Sequence, residues 1–447
     1  MPPTIDQPAD KLAELRSQPS GSRALLTFSL EQYWLPDSPV IELGAICLNS
    51  GPDLLCVISD DVDALNGALS DIAEVTAGTL DSIAQAIDSD VINLSRPLML
   101  DTIRIAKPWG AEIWYTGVEQ RGVCRVGKTP LPWIIRLAGS LCCGDASERL
   151  ILLKILDPLP EQVYGDLYFE MHEQKVEVYV VTNVAPSAWP EGTGAIRFGF
   201  DNDKRGESGS LDAFKREWLS AVNAYRETRM EIDATFDQFR EEEQFDATDV
   251  VSPDVLERWS RQLDPQLVRR ERDQREAMHA FTKLEPLMPG DVVRVPPFTP
   301  HSLQHGVRVV EFQTPHYERY ILSFAQKVLT QAHWDTEQAI DKIVWDAEFD
   351  STLVELESGE RHRIDLVADF DEFEVQRIYL QPGASHRIAT PDYAIVMAID
   401  GSVIAGDVEL AAEQACLLPA ILPAIEIRPA GNTRCFALLA MPKTPGS

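Results

Sequence analysis

Two short stretches of this sequence gather side chains that can hold a divalent cation. In the first, Glu170 and His172 are two residues apart, and Glu177 follows five residues later. On a β-strand a spacing of two puts both side chains on one face. The step to Glu177 suits a tight turn and the start of another strand, so a hairpin would bring three oxygen and nitrogen donors together. In the second stretch Gly290 opens a turn, 291–295 reads as a strand, and a loop stiffened by Pro296, Pro297 and Pro300 presents His301 as a fourth ligand. Two carboxylates and two imidazoles suit Zn²⁺, Mn²⁺ or Fe²⁺. The chain has only eight histidines, so two at such places are informative. His305, His316, His333 and His386 read as structural, and Trp109 and Trp114 as core anchors.

The elements that must position these groups are strands. Between 103 and 199, short runs at 133–137, 150–156, 176–182 and 195–200 alternate with Gly and Pro, the texture of a barrel or sandwich. Residues 201–210 read as a loop. Residues 211–282 read as charge-dense helix, where Glu241, Glu242 and Glu243 and the run Arg269, Arg270, Glu271 and Arg272 form solvated faces. Strands return at 291–295 and 307–312, followed by helix-like segments at 320–330 and 337–343. The block 350–445 is again strand-rich, at 374–380, 393–399, 415–419, 424–428 and 435–441. Two β-rich blocks separated by helices predict a mainly β protein with two barrels in tandem. Ahead of them, 1–22 reads as a loose arm. Residues 23–100 read as an α/β extension with apolar runs at 24–30 and 54–58 and a helical pattern over 62–87.

Composition narrows the partners. The 447 residues include 40 Lys and Arg against 71 Asp and Glu, a formal charge of −31. That balance argues against nucleic acid or an anionic membrane, both of which call for a basic surface. It says little about fold. A hydrophobic fraction of 45% is ordinary for a globular chain. The length suggests two or three domains. The first residues lack a basic and apolar leader pattern, and no uncharged apolar run is long enough to span a membrane. Seven scattered cysteines without a CxxC argue against a thiolate zinc site or a disulfide framework. The expectation is a reduced, cytoplasmic protein.

The two metal-binding stretches resemble the paired motifs of the cupin superfamily, usually G-x5-HxH-x3,4-E and G-x5-PxG-xx-H. Here the first runs from Gly165 through Glu170 and His172 to Glu177, with Glu for the first His and one residue fewer after the Gly. The second runs Gly290, Pro296, Phe298 in the place of a Gly, then His301. Further residues resemble the type I mannose-6-phosphate isomerases, which are zinc cupins. They are Leu153-Lys154-Ile155-Leu156, Glu170-Met171-His172 and Lys175-Val176-Glu177-Val178-Tyr179-Val180. Lys107-Pro108-Trp109-Gly110 and Glu112-Ile113-Trp114 also match, as does Val310-Glu311-Phe312-Gln313 leading to Arg319. The likeness covers about 103–445.

The resemblance implies two cupin (jelly-roll) barrels. A metal-binding domain would comprise 101–200 and 283–345, interrupted by a helical insertion at 201–282. A metal-free barrel would occupy 346–447, and 1–100 would be an extension. It implies one divalent metal ion, zinc first with iron or manganese as alternatives, held by Glu170, His172, Glu177 and His301. It implies isomerisation of mannose 6-phosphate to fructose 6-phosphate through an enediol, the metal polarising the carbonyl. Arg319 would steady the developing charge or grip a phosphate. Lys154 and Lys175 would contact phosphate or hydroxyls. The partner would be a small sugar phosphate, and the oligomeric state stays open, as does the general acid or base.

The departures surround the place of the sugar. Glu170 replaces Gln, Tyr168 replaces Ser, only Glu173 and Gln174 separate His172 from Lys175, and Thr314-Pro315-His316-Tyr317 replaces a Ser-Asp-Asn element. They leave two other readings: a different cupin metalloenzyme (an oxygenase or another sugar isomerase), or a non-catalytic sugar-binding cupin. The Glu also changes the charge. The family's ligand set with a divalent ion carries one positive charge, whereas this set is neutral. It should be a weaker Lewis acid and a tighter cation trap, and should accept iron or manganese more readily.

Overall fold

The structure is a computed structural model that describes residues 6–70, 74–389 and 391–443. The chain forms two compact units. One comprises 1–103, 114–154 and 353–447, and the other 104–113 and 155–352. The mainly β expectation is met.

Two sheets lie mainly in the second unit. One has the strand order Val292–Val295, Glu177–Val184, Val307–Gln313, Leu152–Pro158, Gly110–Trp114, Ile103–Lys107. The other has the order Thr282–Leu287, Gly194–Phe200, His301–Leu303, Phe169–Met171, Tyr320–Ser323. Their inner faces share one core. Tyr179, Val181 and Val309 contribute from the first sheet, and Met171, Ile196 and Phe198 from the second. Burial on this scale, at about 25 cal/mol per Å² of apolar surface, is the main term holding the strands in register.

Helices extend this unit. Ser210 caps Leu211–Glu242 by accepting from the Ala213 N–H. Phe214, Trp218, Val222 and Tyr225 recur at helical spacing and join the sheet core. Farther along, Ile232 and Phe236 enter a separate cluster with Leu256 and Trp259. Prolines at the first turns of Pro253–Ser260 and Pro265–His279 split the charge-dense region into three helices. The predicted loop over 201–210 contains the helix Asn202–Glu207, because the Asp201 side chain caps it at the Lys204 N–H.

Two helix-like readings also change. Residues 320–330 begin with the strand Tyr320–Ser323, which pairs with Phe169–Met171. Ile321 and Leu322 are both fully buried, and a short apolar run of that kind fits strand or helix equally well. Only Thr336–Ala339 is helical near 337–343.

In the first unit, Arg23–Glu31, Val40–Asn49, Leu54–Ser59 and Ile92–Asn93 form a sheet. Leu65 from the helix Val62–Ser70 and Leu80 and Ile83 from Ala77–Ala86 pack with it. A seven-stranded and a four-stranded sheet share a further core, with Ile378, Val396 and Ala437 from one and Val403, Ala405 and Ile427 from the other. The predicted strand at 133–137 is instead the helix Leu131–Ala138, whose Pro132 suits a first turn and whose Ile134, Ile135 and Leu137 are buried. Burial overrides the β-branched preference there. The predicted loose arm contains the helix Pro8–Ser17, pinned by buried Leu12 and Leu15. Residues 1–5 lie outside the described residues.

All seven cysteines are buried free thiols. Among the described residues no helix is long and apolar enough to cross a membrane.

Candidate metal centre

The sheets bring the two predicted stretches together. Glu170 and His301 sit directly opposite each other on neighbouring antiparallel strands. His172 follows immediately after Phe169–Met171, and its ring centroid is 5.5 Å from that of His301. One ligand atom each from Glu170, His172 and His301 lies within 4.8 Å of the others. Glu177 completes the cluster from the other sheet, with Oε1 at 2.8 Å from His301 Nε2 and 3.5 Å from His172 Nε2. The predicted hairpin is corrected here. Phe169–Met171 and Glu177–Val184 belong to different sheets, so residues 172–176 cross from one to the other.

A ladder would have satisfied the backbone of that crossing, and other groups do so instead. Glu318 Oε1 accepts the N–H groups of Glu173 (3.2 Å), Gln174 and Lys175 (3.0 Å), and Thr314 Oγ1 accepts that of Val176 at 3.2 Å. The four successive donors are thereby accounted for. The same Glu318 accepts through its carbonyl from His172 Nδ1 at 2.8 Å. His301 Nδ1 likewise donates to the Thr299 carbonyl at 3.0 Å. A carbonyl only accepts, so both imidazoles, when neutral, present the Nε2 lone pair to the cluster. That is the tautomer a metal ligand needs.

The charges fit a cation. Glu170 Oε2, His172 Nε2 and Glu177 Oε1 are buried without a hydrogen-bond partner among the described residues. His301 Nε2 and Glu177 Oε1, both lone-pair bearing, approach to 2.8 Å. The Tyr179 hydroxyl, 3.1 Å from His301 Nε2, can offset part of that repulsion. Lys175 Nζ lies 2.6 Å from Glu177 Oε2 and 3.8 Å from Glu311 Oε1, and Arg319 Nη1 lies 3.8 Å from Glu170 Oε2. Lys175 and Arg319 thus stand beside these carboxylates. Burial opposes ionisation of Glu177, yet Lys175, ahead of the imidazoles, holds its carboxyl well below the usual range. Burial also opposes ionisation of Glu170, which Arg319 foremost keeps on the low side. Burial, then the Lys175 charge, lowers His172 and so favours its neutral form. Buried, ionised carboxylates beside the neutral His172 imidazole are a donor set in want of a cation.

The other predicted residues divide. Lys175 and Arg319 join the cluster. Arg319 also lies over the Tyr168 ring, 4.8 Å to its centroid, and donates to Thr330 Oγ1 at 2.8 Å. Lys154 is half-buried on Leu152–Pro158, at the last residue of a segment of the first unit. Trp109 and Trp114 are core residues, at 2% and 4% exposure. His305 is bound to Asp166 at 2.7 Å and stacks on Trp189.

Sequence reasoning missed roles for Glu318 and Tyr179. Tyr179 was findable, because it follows Glu177 by two and so shares its strand face. Glu318 had no spacing signal, since it acts across a chain separation of well over a hundred residues. Replacing Glu318 with Ala, which removes the oxygen that accepts three of the four N–H groups of the crossing between His172 and Glu177, is expected to weaken metal binding by about tenfold, the low end of the usual cost of disturbing a ligand's support. Competition against a chromogenic chelator measures this, and unchanged affinity would contradict the clamp.

Phe298 occupies the usual Gly position of the second motif with φ +60°. Its N–H donates to the His172 carbonyl at 2.6 Å, and its carbonyl accepts from the Val344 N–H at 3.0 Å, so the conformation is fixed on both sides. The left-handed region costs a side-chain-bearing residue roughly 1–2 kcal/mol. Phe298→Gly is therefore expected to be more stable than Phe298→Ala by about 1 kcal/mol in urea unfolding, since both lose the ring and only Gly tolerates the backbone.

Solved structures share this fold. The mannose 6-phosphate isomerase from Bacillus subtilis aligns with a TM-score of 0.53 at 14% identity, over 77% of this chain and 99% of that one. A variant of the phosphomannose isomerase from Salmonella typhimurium gives 0.54 at 11% identity, over 78% and 100%. A zinc-bound mannose 6-phosphate isomerase gives 0.53 at 12% identity, over 77% and 99%. At these identities the likeness is one of fold. No protein-family model matches the sequence, and no curated protein matches it.

Proposed function

We propose that this chain is a metal-dependent aldose–ketose isomerase acting on a sugar phosphate, with Glu170, His172, Glu177 and His301 as ligands to one divalent ion, zinc first. The observation that carries the reading is the convergence of these four donors, with Glu170 Oε2, His172 Nε2 and Glu177 Oε1 buried and without a hydrogen-bond partner among the described residues. The phosphomannose isomerase fold supports it. When bound, the ion would act as a Lewis acid toward the substrate carbonyl and the enediolate oxygen. Arg319, held over Tyr168 beside Glu170, adds a fixed cation at the same place, suited to the enediolate or to a phosphate. Lys175 sets the rotamer of Glu177 and offsets its charge. Lys154 is the further candidate for a phosphate or hydroxyl contact. Mannose 6-phosphate supplied to the metal-loaded protein, with fructose 6-phosphate read by a coupled assay, tests the reading. Turnover that a chelator removes supports it, and zero turnover at full metal occupancy rejects it.

One observation favours a second reading, a metal site that binds a sugar or serves another cupin chemistry. Arg319 is already engaged by Glu170, Tyr168 and Thr330. Thermal stabilisation by sugar phosphates without turnover would point to binding alone, and oxygen uptake by the iron-loaded protein to an oxygenase.

A further inference from the structure

Away from the metal centre, the helical region and neighbouring loops line a partly open cavity of about 230 Å³. Its apolar wall is made by Ile232, Phe236, Leu256 and Trp259, the cluster that Leu211–Glu242 builds after leaving the sheet core. The rest of the lining is unusual for a chain of net charge −31. Arg229, Arg240, Arg275 and Lys327 face the space with a single carboxylate, Glu271.

Three of these cations are matched. Arg229 pairs with Asp233 at 2.8 Å, Arg275 with Glu271 at 3.1 Å, and Lys327 with Asp237 at 2.5 Å. Arg240 is different. It is 7% exposed, and its Nη1 donates to the carbonyls of Asp246 (3.2 Å) and Asp249 (2.9 Å). No carboxylate of the described residues forms an ion pair with it, and the Asp249 carboxylate accepts the Asp246 N–H instead. Burial lowers this guanidinium from its ordinary value. Asp237, Asp249 and Asp233 oppose that shift from a distance, but the direct hydrogen-bond partners of the guanidinium are neutral carbonyls, and an anion delivered to it would add charge-assisted hydrogen bonds.

We propose that this cavity is a binding site for an amphipathic monoanion, an arylcarboxylate whose carboxylate meets Arg240 and whose rings lie against Phe236 and Trp259. Size supports the class. A cavity of about 150 Å³ holds benzene, so this larger one suits a bicyclic ring. The site is independent of the metal chemistry.

Calorimetry on the full chain with 2-naphthoate and its neutral isostere 2-naphthamide tests it. The wild type should bind naphthoate at least about tenfold tighter than the amide. Arg240→Met should remove that preference and keep the amide affinity. Leu256→Trp, which fills the space, should abolish binding of both. Absence of saturable naphthoate binding, equal affinities in the wild type, or binding that survives Leu256→Trp would overturn the proposal. If Arg240→Met fails to fold, the wild-type ratio still decides the charge and Leu256→Trp still decides the place.

Discussion

Replacing His301 with alanine is expected to strip the protein of its metal, with the affinity falling by more than the ~100-fold that loss of a supporting contact can cost. The imidazole is fully inside the cluster, and its Nε2 is the donor nearest Glu177. Without it, Glu170, His172 and Glu177 offer an incomplete set. Elemental analysis after gel filtration should show close to one equivalent in the wild type and little in the variant. Stability provides an independent readout. A ligand at 100 times its dissociation constant stabilises by about 2.7 kcal/mol, and that metal-dependent increment should vanish in the variant. An unchanged metal content would remove His301 from the site.

The second large effect concerns Lys175. Its side chain is buried between Glu177 and Glu311, which are exposed by 0% and 1%. Substitution by Met keeps the length and removes the charge, taking from the buried Glu177 carboxylate the cation that lies 2.6 Å from it. Breaking a buried pair in this way costs about 3–5 kcal/mol. The loss should be largest with a chelator present and smaller once a divalent ion restores positive charge. Urea unfolding in the two conditions measures the difference. An equal loss in both would show that Lys175 contributes packing alone.

The parts of this centre that were legible in the sequence are those in which side-chain type and local spacing suffice. Glu170, His172 and Glu177 lie within eight residues, and the Pro-rich lead to His301 forms a recognisable second half. The strand texture likewise reported the sheets, because alternating and continuous apolar runs follow directly from burial. The path between His172 and Glu177 was less legible. A hairpin and a sheet-to-sheet crossing of the same length look alike until the distant Glu318 supplies the hydrogen bonds that decide between them. The helix Leu131–Ala138 and the strand Tyr320–Ser323 were misread for a related reason, since short apolar runs take the form their surroundings bury best. The Arg240 cavity had no sequence signature at all. Its pieces come from three helices and several loops far apart along the chain, where the charges look like ordinary solvated ones.

The most direct test of the metal centre is an anomalous difference map from crystals grown with zinc and recorded at the zinc edge. We expect one strong peak about 2.0–2.1 Å from the Nε2 atoms of both His172 and His301, with Glu170 and Glu177 oxygens beside it. A zinc-saturated crystal with no peak between those imidazoles, or with its zinc elsewhere, would contradict the assignment.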